Sequence, residues 1–217
     1  MIQLFAHPFS SYCWKAMIVF HEKDVPYELR LLDQDQPGNG AEFARRWPMQ
    51  MMPLLVDGDT QVMETSAIIE WLDVRFPQPR MIPADPEVAV EVRMMDRVFD
   101  NYVMTPMQRI VADAIRLPEE RDRRGVADAR AMLDASYAWL DERMREREWA
   151  AADAFTLADC AAAPSLFYAD WTHPIGADYP KVGAYRARLL ARPSYARAVD
   201  EARRFRHVFP LGAPAGD

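Results

Sequence analysis

The chain has 217 residues, half of them hydrophobic and 27% charged, with a formal net charge of −7 and a pI of about 5.2. That balance excludes the basic footprint of a nucleic-acid binder. No apolar run reaches the length of a membrane span, and the opening MIQLFAHPF lacks the basic and hydrophobic regions of an export signal, so neither membrane nor nucleic acid is an expected partner.

Two widely spaced cysteines, Cys13 and Cys160, are too few for a disulfide framework and suggest a reducing, cytoplasmic setting. His7, His21, His173 and His207 are scattered without zinc spacing, so no metal is expected. Ile2, Leu4 and Phe5 predict a first strand, ended by His7-Pro8. Ser10 to Lys23 reads as a helix in which Cys13, Ala16, Met17 and Phe20 form one buried face. A strand that turns through hydroxyl residues into a helix presents unpaired amides and partial positive charge, a setting that stabilises anions and thiolates. After Asp24-Val25-Pro26, the alternation of Tyr27, Leu29 and Leu31 with Glu28 and Arg30 predicts a second strand, joined by a right-handed parallel crossover. Asp33 to Gly40 reads as a mobile polar loop, and Ala41 to Trp47 as a short helix.

Met52 to Val56, the Asp57-Gly58-Asp59 turn and Thr60 to Met63 read as a hairpin. Pro53 cannot donate to a ladder and belongs at an edge or a first position. Glu64, Thr65 and Ser66 open a helix to about Phe76, completing a β-α-β-α-β-β-α order over residues 1 to 76. Pro77, Pro79, Pro83 and Pro86 mark a linker. The remainder is helical. One stripe runs from Val88 to Tyr102 with a kink at Pro106. A second joins Val126, Ala129, Leu133, Tyr137, Leu140 and Met144. Three further helices fall near 155–169, 182–190 and 195–205, and Leu211 to Asp217 reads as a disordered tail.

Four segments carry a resemblance over nearly the full length. They are Pro8-x-Ser10-Ser11-x-Cys13-x-Lys15, Met52-Pro53-Leu54-Leu55, Glu64-Thr65-x-Ala67-Ile68 and Phe155-Thr156-Leu157-Ala158-Asp159. Together they resemble cytosolic-type glutathione transferases of the serine-using, bacterial-like kind. The first is also similar to the glutaredoxin turn, with Ser10 where the attacking cysteine would stand. The resemblance implies a thioredoxin-like glutathione-binding α/β domain over 1–77, a linker over 78–86 and an all-α domain over 87–217 that contributes the electrophile site. It implies glutathione as co-substrate, a small apolar electrophile, a homodimer and a cytoplasmic role in detoxification.

The implied site follows the chemistry of the tripeptide. Its thiol, near the cysteine pKa of roughly 8.5, becomes a thiolate more readily beside a hydroxyl donor and a helix N-terminus. The resemblance gives Ser10 that role, since its spacing to Asp24-Val25-Pro26 is similar to the spacing in serine-type relatives, with Ser11 as the alternative, and a plain N-cap is the competing reading of Ser10. A cis Pro53 would turn the Met52 backbone toward the cysteinyl peptide unit. The amides and Thr65 hydroxyl at the next helix start would hold the γ-glutamyl carboxylate, and Glu64 its ammonium. Cys13 reads as a buried structural cysteine rather than a redox thiol. Thr156 and Asp159 read as a capping box with a folding role alone, worth roughly 0.5–2 kcal/mol. Tyr12, Tyr102, Met104, Met107 and Trp171 are either walls of the electrophile site or core. A glutathione-dependent isomerase or dehalogenase would use the same machinery. A thiol–disulfide oxidoreductase and a non-catalytic binding module are the readings from other classes.

Overall fold

The computed structural model describes residues 1–214. Strand β1 (Gln3–Ala6) lies inside a four-stranded sheet of order β2-β1-β3-β4. Helix α1 (Ser11–Glu22) carries the chain across to β2 (Glu28–Leu31), which pairs in parallel with Leu4 opposite Leu29. Helix α2 (Pro37–Arg46) leads to β3 (Leu54–Asp57) and β4 (Thr60–Met63), an antiparallel hairpin whose turn is made by Gly58 at φ +59°. β3 also pairs antiparallel with β1, and α3 (Thr65–Arg75) closes the α/β unit.

Period-two alternation sends alternate side chains of these strands to opposite faces. Phe5, Leu54 and Val56 pack with Phe43 of α2 on one face. Leu4, Ala6 and Leu55 join the large core on the other, with α1, α3 and the helical part. α1 is therefore buried almost all round, since it also packs against two helices of the helical part, Leu157–Thr172 and Pro193–Ala202.

One predicted loop is an element. α2 begins at Pro37, inside the segment 33–40 read as mobile, because Pro37 occupies the first helical turn where its missing N–H costs nothing. Asn39 then fixes that turn to β2. Its Oδ1 accepts from Arg30 Nε at 2.9 Å and its Nδ2 donates to Leu31 O at 3.0 Å.

The proline-rich connection is anchored at both sides. Lys23 pairs with Asp73 at 2.7 Å and donates to Phe76 O and Pro79 O. Asp73 in turn accepts from the amides of Met81 and Ile82. Asp85 then caps α4 (Pro86–Val98), so the last linker residue, Pro86, is already helical. Residues 99–104 widen into π-helical turns before α5 (Thr105–Ala114). This is the form the kink at Pro106 takes. Pro106 offers no N–H to the carbonyl of Tyr102, which accepts instead from Ser136 Oγ at 2.8 Å.

Helices α6 (Arg123–Arg143), α7 (Leu157–Thr172), α8 (Pro180–Leu190) and α9 (Pro193–Ala202) complete the chain, followed by a 3₁₀ segment at Arg203–Val208. The end of the chain departs from the disorder read over 211–217. Gly212 donates to Phe209 O at 3.0 Å, and Arg206 donates to Pro214 O. Residues 215–217 lie outside the described residues.

Candidate active site

The turn between β1 and α1 is held from three directions. Ser10 N donates to His7 O at 2.9 Å, and Phe9 N donates to His7 Nδ1 at 3.1 Å. Tyr168 of α7 donates its hydroxyl to Phe9 O at 2.9 Å, and the Trp14 indole donates to Pro8 O. Burial lowers the pKa of His7, and the Arg204 charge adds to this against Asp33. Ser10 is the N-cap of α1. Its Oγ accepts from Cys13 N at 3.4 Å, which leaves its own proton to donate. Ser11 is buried, and its Oγ accepts from Gln108 Nε2 at 3.5 Å.

Two cavities open beside this first turn. One, of about 360 Å³, is lined by Tyr12, Met51, Met52, Pro53, Glu64, Thr65, Ser66, Arg97, Asp100 and Asn101. The other, of about 340 Å³, is lined by Ser10, Ser11, Gln108 and an apolar wall that includes Phe9, Met107, Val111, Ile115, Tyr168 and Phe209. No charged side chain lines this second cavity among the described residues. Both volumes lie in the range of small-molecule sites. The six site residues read from the sequence thus divide. Met52, Pro53, Glu64 and Thr65 share the first cavity, and Ser10 and Ser11 face the second.

The first cavity is shaped by backbone. The Met52–Pro53 peptide is cis, at the entry to β3. Between β4 and α3, Glu64 adopts φ +66°, ψ 121°, a sparsely populated conformation that costs of order 1–3 kcal/mol and recurs at ligand sites. Its residue is exposed and its side chain does not cap α3, whose first turn lines the cavity and has no side-chain cap among the described residues. The Thr65 hydroxyl is already committed, donating to Tyr12 O at 3.3 Å. It ties α3 to α1, so the helix amides rather than this hydroxyl remain for a ligand carboxylate.

Sequence reasoning missed the far wall. Lys15 of α1, fully buried, pairs with Asp96 and with Asp100 at 2.9 Å and donates to Ser66 Oγ at 3.1 Å. Arg97 donates to Ser66 Oγ and Asp100 Oδ2, each at 2.6 Å, and to Asp96. Burial raises the pKa of Asp100, with Asp96 adding to the shift and Lys15 and Arg97 opposing it. Burial and the Asp100 charge push Tyr12 up to about 12, so its phenol stays protonated. The available signal was a lysine on an otherwise apolar helix facing two acids at i and i+4.

Of the five residues weighed as electrophile-site walls, Met107 lines the cavity that holds the serines. Tyr12 borders the other cavity. Tyr102 lines a surface groove, Met104 is core, and Trp171 belongs to an aromatic cluster with Phe9, Phe167 and Phe209. Cys13 is fully buried, and burial pushes its thiol up to about 11, which suits packing and not redox attack. No helix among the described residues is long and apolar enough to cross a membrane.

The family model for the glutathione S-transferase N-terminal domain matches residues 4–80, and that for the C-terminal domain matches residues 98–193. A probable maleylacetoacetate isomerase of Vibrio cholerae is 27% identical, over 88% of this chain and 92% of that protein. Glutathione S-transferase GstB of Escherichia coli is 26% identical, over 92% and 98%. A glutathione S-transferase of Methylobacterium radiotolerans, solved with glutathione sulfonate, superposes with a TM-score of 0.79 at 26% identity, covering 91% and 94%. The chain belongs to the glutathione S-transferase family and is a glutathione transferase with the thioredoxin-like and all-helical parts of that family.

Proposed function

We propose that glutathione lies in the first cavity with its thiol at Ser10, and that an uncharged apolar electrophile enters the second. The carrying observation is that the two cavities meet the same helix N-terminus, one bordered by Met52, Pro53, Glu64 and Thr65, the other by Ser10 and Ser11. Ser10 donates to the thiolate, whose charge the α1 amides also favour. Ser11, buried and hydrogen-bonded to Gln108, holds the turn from behind. Met52 pairs by its backbone with the cysteinyl unit, Glu64 holds the γ-glutamyl ammonium, and the α3 amides hold its carboxylate. The enzyme supplies positioning and a larger thiolate fraction. Residues 1–77 serve the tripeptide and 87–217 the electrophile, across the 78–86 connection.

That no charged side chain lines the second cavity among the described residues bears on the reaction. Maleylacetoacetate carries two carboxylates, which need paired charges in a low-dielectric site. This lining favours conjugation of a neutral substrate over the isomerisation named for the Vibrio relative. A cytoplasmic detoxifying role fits that substrate class. The exposed apolar groove of Tyr102, Met132 and Trp139 supports a homodimer, which light scattering would test.

Retention on immobilised glutathione, then turnover of an aryl halide and of hydroxyethyl disulfide, separates the readings. Ser10→Ala should lose aryl conjugation and keep retention. Turnover of the disulfide alone would favour an oxidoreductase. Failure of the native protein in all three assays would leave a non-catalytic module.

A further inference from the structure

His7 touches two of the segments that wall the second cavity. One is the α1 turn, which contributes Phe9, Ser10 and Ser11 to the lining. The other is the 3₁₀ segment Arg203–Val208, which leads into Phe209 and Pro210 and lines the cavity from Val208 onward. On the turn side, His7 Nδ1 accepts from Phe9 N at 3.1 Å, and the His7 carbonyl accepts from Ser10 N at 2.9 Å. On the other side, the imidazole packs on the Phe205 ring, with centroids 4.4 Å apart. The Arg204 guanidinium lies over that same ring at 4.6 Å. Phe9 and Phe209, one from each wall, meet edge to face at 6.3 Å. A ring nitrogen that accepts from an amide carries no proton, so this imidazole is neutral, with its hydrogen on Nε2. A proton on Nδ1 would set N–H against N–H and bring a second positive charge beside Arg204. Asp33, from the connection after β2, opposes that effect, and the buried Cys13 thiol of α1 stays neutral.

We infer that His7 is a positioning residue for the electrophile site: its neutral ring pins the Ser10 turn to the 3₁₀ wall, and its protonation loosens both. This rests on the glutathione reading above and deepens it, by giving the electrophile side a proton dependence separate from ionisation of the thiol. When the ring takes up a proton, Phe9 N loses its acceptor and the Phe205 ring faces two cations instead of one. The turn and the wall then part, and an apolar group between them loses contact area. The peptide part of the ligand, held in the first cavity, keeps its own contacts. Linkage works in both directions, so filling the second cavity should draw the proton off His7.

The probes are two thioethers, S-hexylglutathione and S-methylglutathione, neither of which has a thiol to ionise. The hexyl chain is long enough to enter the second cavity and the methyl group is not. Binding to the intact protein is measured by calorimetry from about pH 7.5 down to about pH 5, across the histidine range. The native protein should bind the hexyl thioether about fivefold more weakly at the acid end, as for one neutral hydrogen bond lost, with the methyl thioether nearly unchanged. Within that interval hexyl binding should release protons, read from the dependence of the heat on the buffer's ionisation enthalpy. His7→Asn offers a side-chain carbonyl to the amide two residues on, so it should stay within about threefold of native affinity at neutral pH. Its pH dependence and proton release should vanish. His7→Phe keeps a ring on Phe205 but no acceptor, and should bind the hexyl thioether about fivefold more weakly at every pH. Equal pH profiles in the native protein and either variant overturn the role of His7 and leave the glutathione site standing, as does a methyl thioether that weakens as steeply as the hexyl one. If one variant does not fold, the other decides, since both remove the titrating group. A native protein that binds neither thioether overturns the glutathione reading itself.

Discussion

Replacing Asp159 with alanine should destabilise the protein far beyond the loss of an ordinary helix cap. Asp159 is fully buried at the first turn of α7. Its carboxylate accepts from Ala150 N at 2.9 Å, Thr156 N at 2.9 Å, Thr156 Oγ1 at 3.1 Å and Tyr185 Oη at 2.5 Å. Ala150, Thr156 and Tyr185 are each 2% exposed or less, so water cannot readily take the place of the lost acceptor. A buried donor left without a partner costs about 1–3 kcal/mol. Four such donors give about 4 kcal/mol even at the low end, against roughly 0.5–2 for a solvent-exposed cap. That is a large share of the roughly 5–15 kcal/mol by which a folded domain is stable. Asp159→Asn keeps the shape but sets an NH₂ against two donors, and should cost about half as much. Urea unfolding followed by circular dichroism measures both. A loss under about 2 kcal/mol for the alanine variant would refute the reasoning, because it would mean that these donors find other acceptors.

Stability should fall as the pH drops from 6.5 through the lower folded pKa of His7. Within that window the unfolded chain binds more protons than the folded one, and protonation removes the acceptor used by Phe9 N. His7→Gln should flatten this part of the profile of melting temperature against pH. A thiol reagent at pH 8 should label neither cysteine in the native protein and both after denaturation, since Cys13 and Cys160 are fully buried and burial raises both thiols. Ser136→Ala should cost about 1 kcal/mol by removing the hydroxyl that the Tyr102 and Met132 carbonyls share beside the π-helical turn, measured again in urea.

What was legible in the sequence were features written in local pattern. The alternation in Tyr27 to Leu31, the Asp-Gly turn and the face carrying Cys13, Ala16, Met17 and Phe20 each fixed an element. Ser10, Met52, Pro53, Glu64 and Thr65 were singled out from turn and helix-start chemistry and from the resemblance, and the structure places them at two cavities beside the α1 turn. What escaped depends on distant packing. The helix at Pro37 needs Asn39 to reach back to Arg30 and Leu31 on another strand. The commitment of the Thr65 hydroxyl to Tyr12 O joins residues 53 positions apart. The ionic wall joins Lys15 to Asp96 and Asp100, and the i, i+4 spacing of the two acids marks one helix face without saying which distant residue it meets. Asp159 exceeds an ordinary cap for the same reason, since its partners Ala150 and Tyr185 lie outside the local motif.

In the proposed mechanism the α1 turn, with Ser10 as donor, stabilises the thiolate of bound glutathione. The direct measurement is a pH titration of thiolate ultraviolet absorbance for glutathione bound to the native enzyme and to Ser10→Ala. The bound thiol should titrate below the free value of roughly 8.5 in the native enzyme and shift back by about one unit or more in the variant, while affinity for the neutral thiol is retained. An equal pKa in both proteins would contradict the claim, and a shift confined to Ser11→Ala would transfer the role to Ser11.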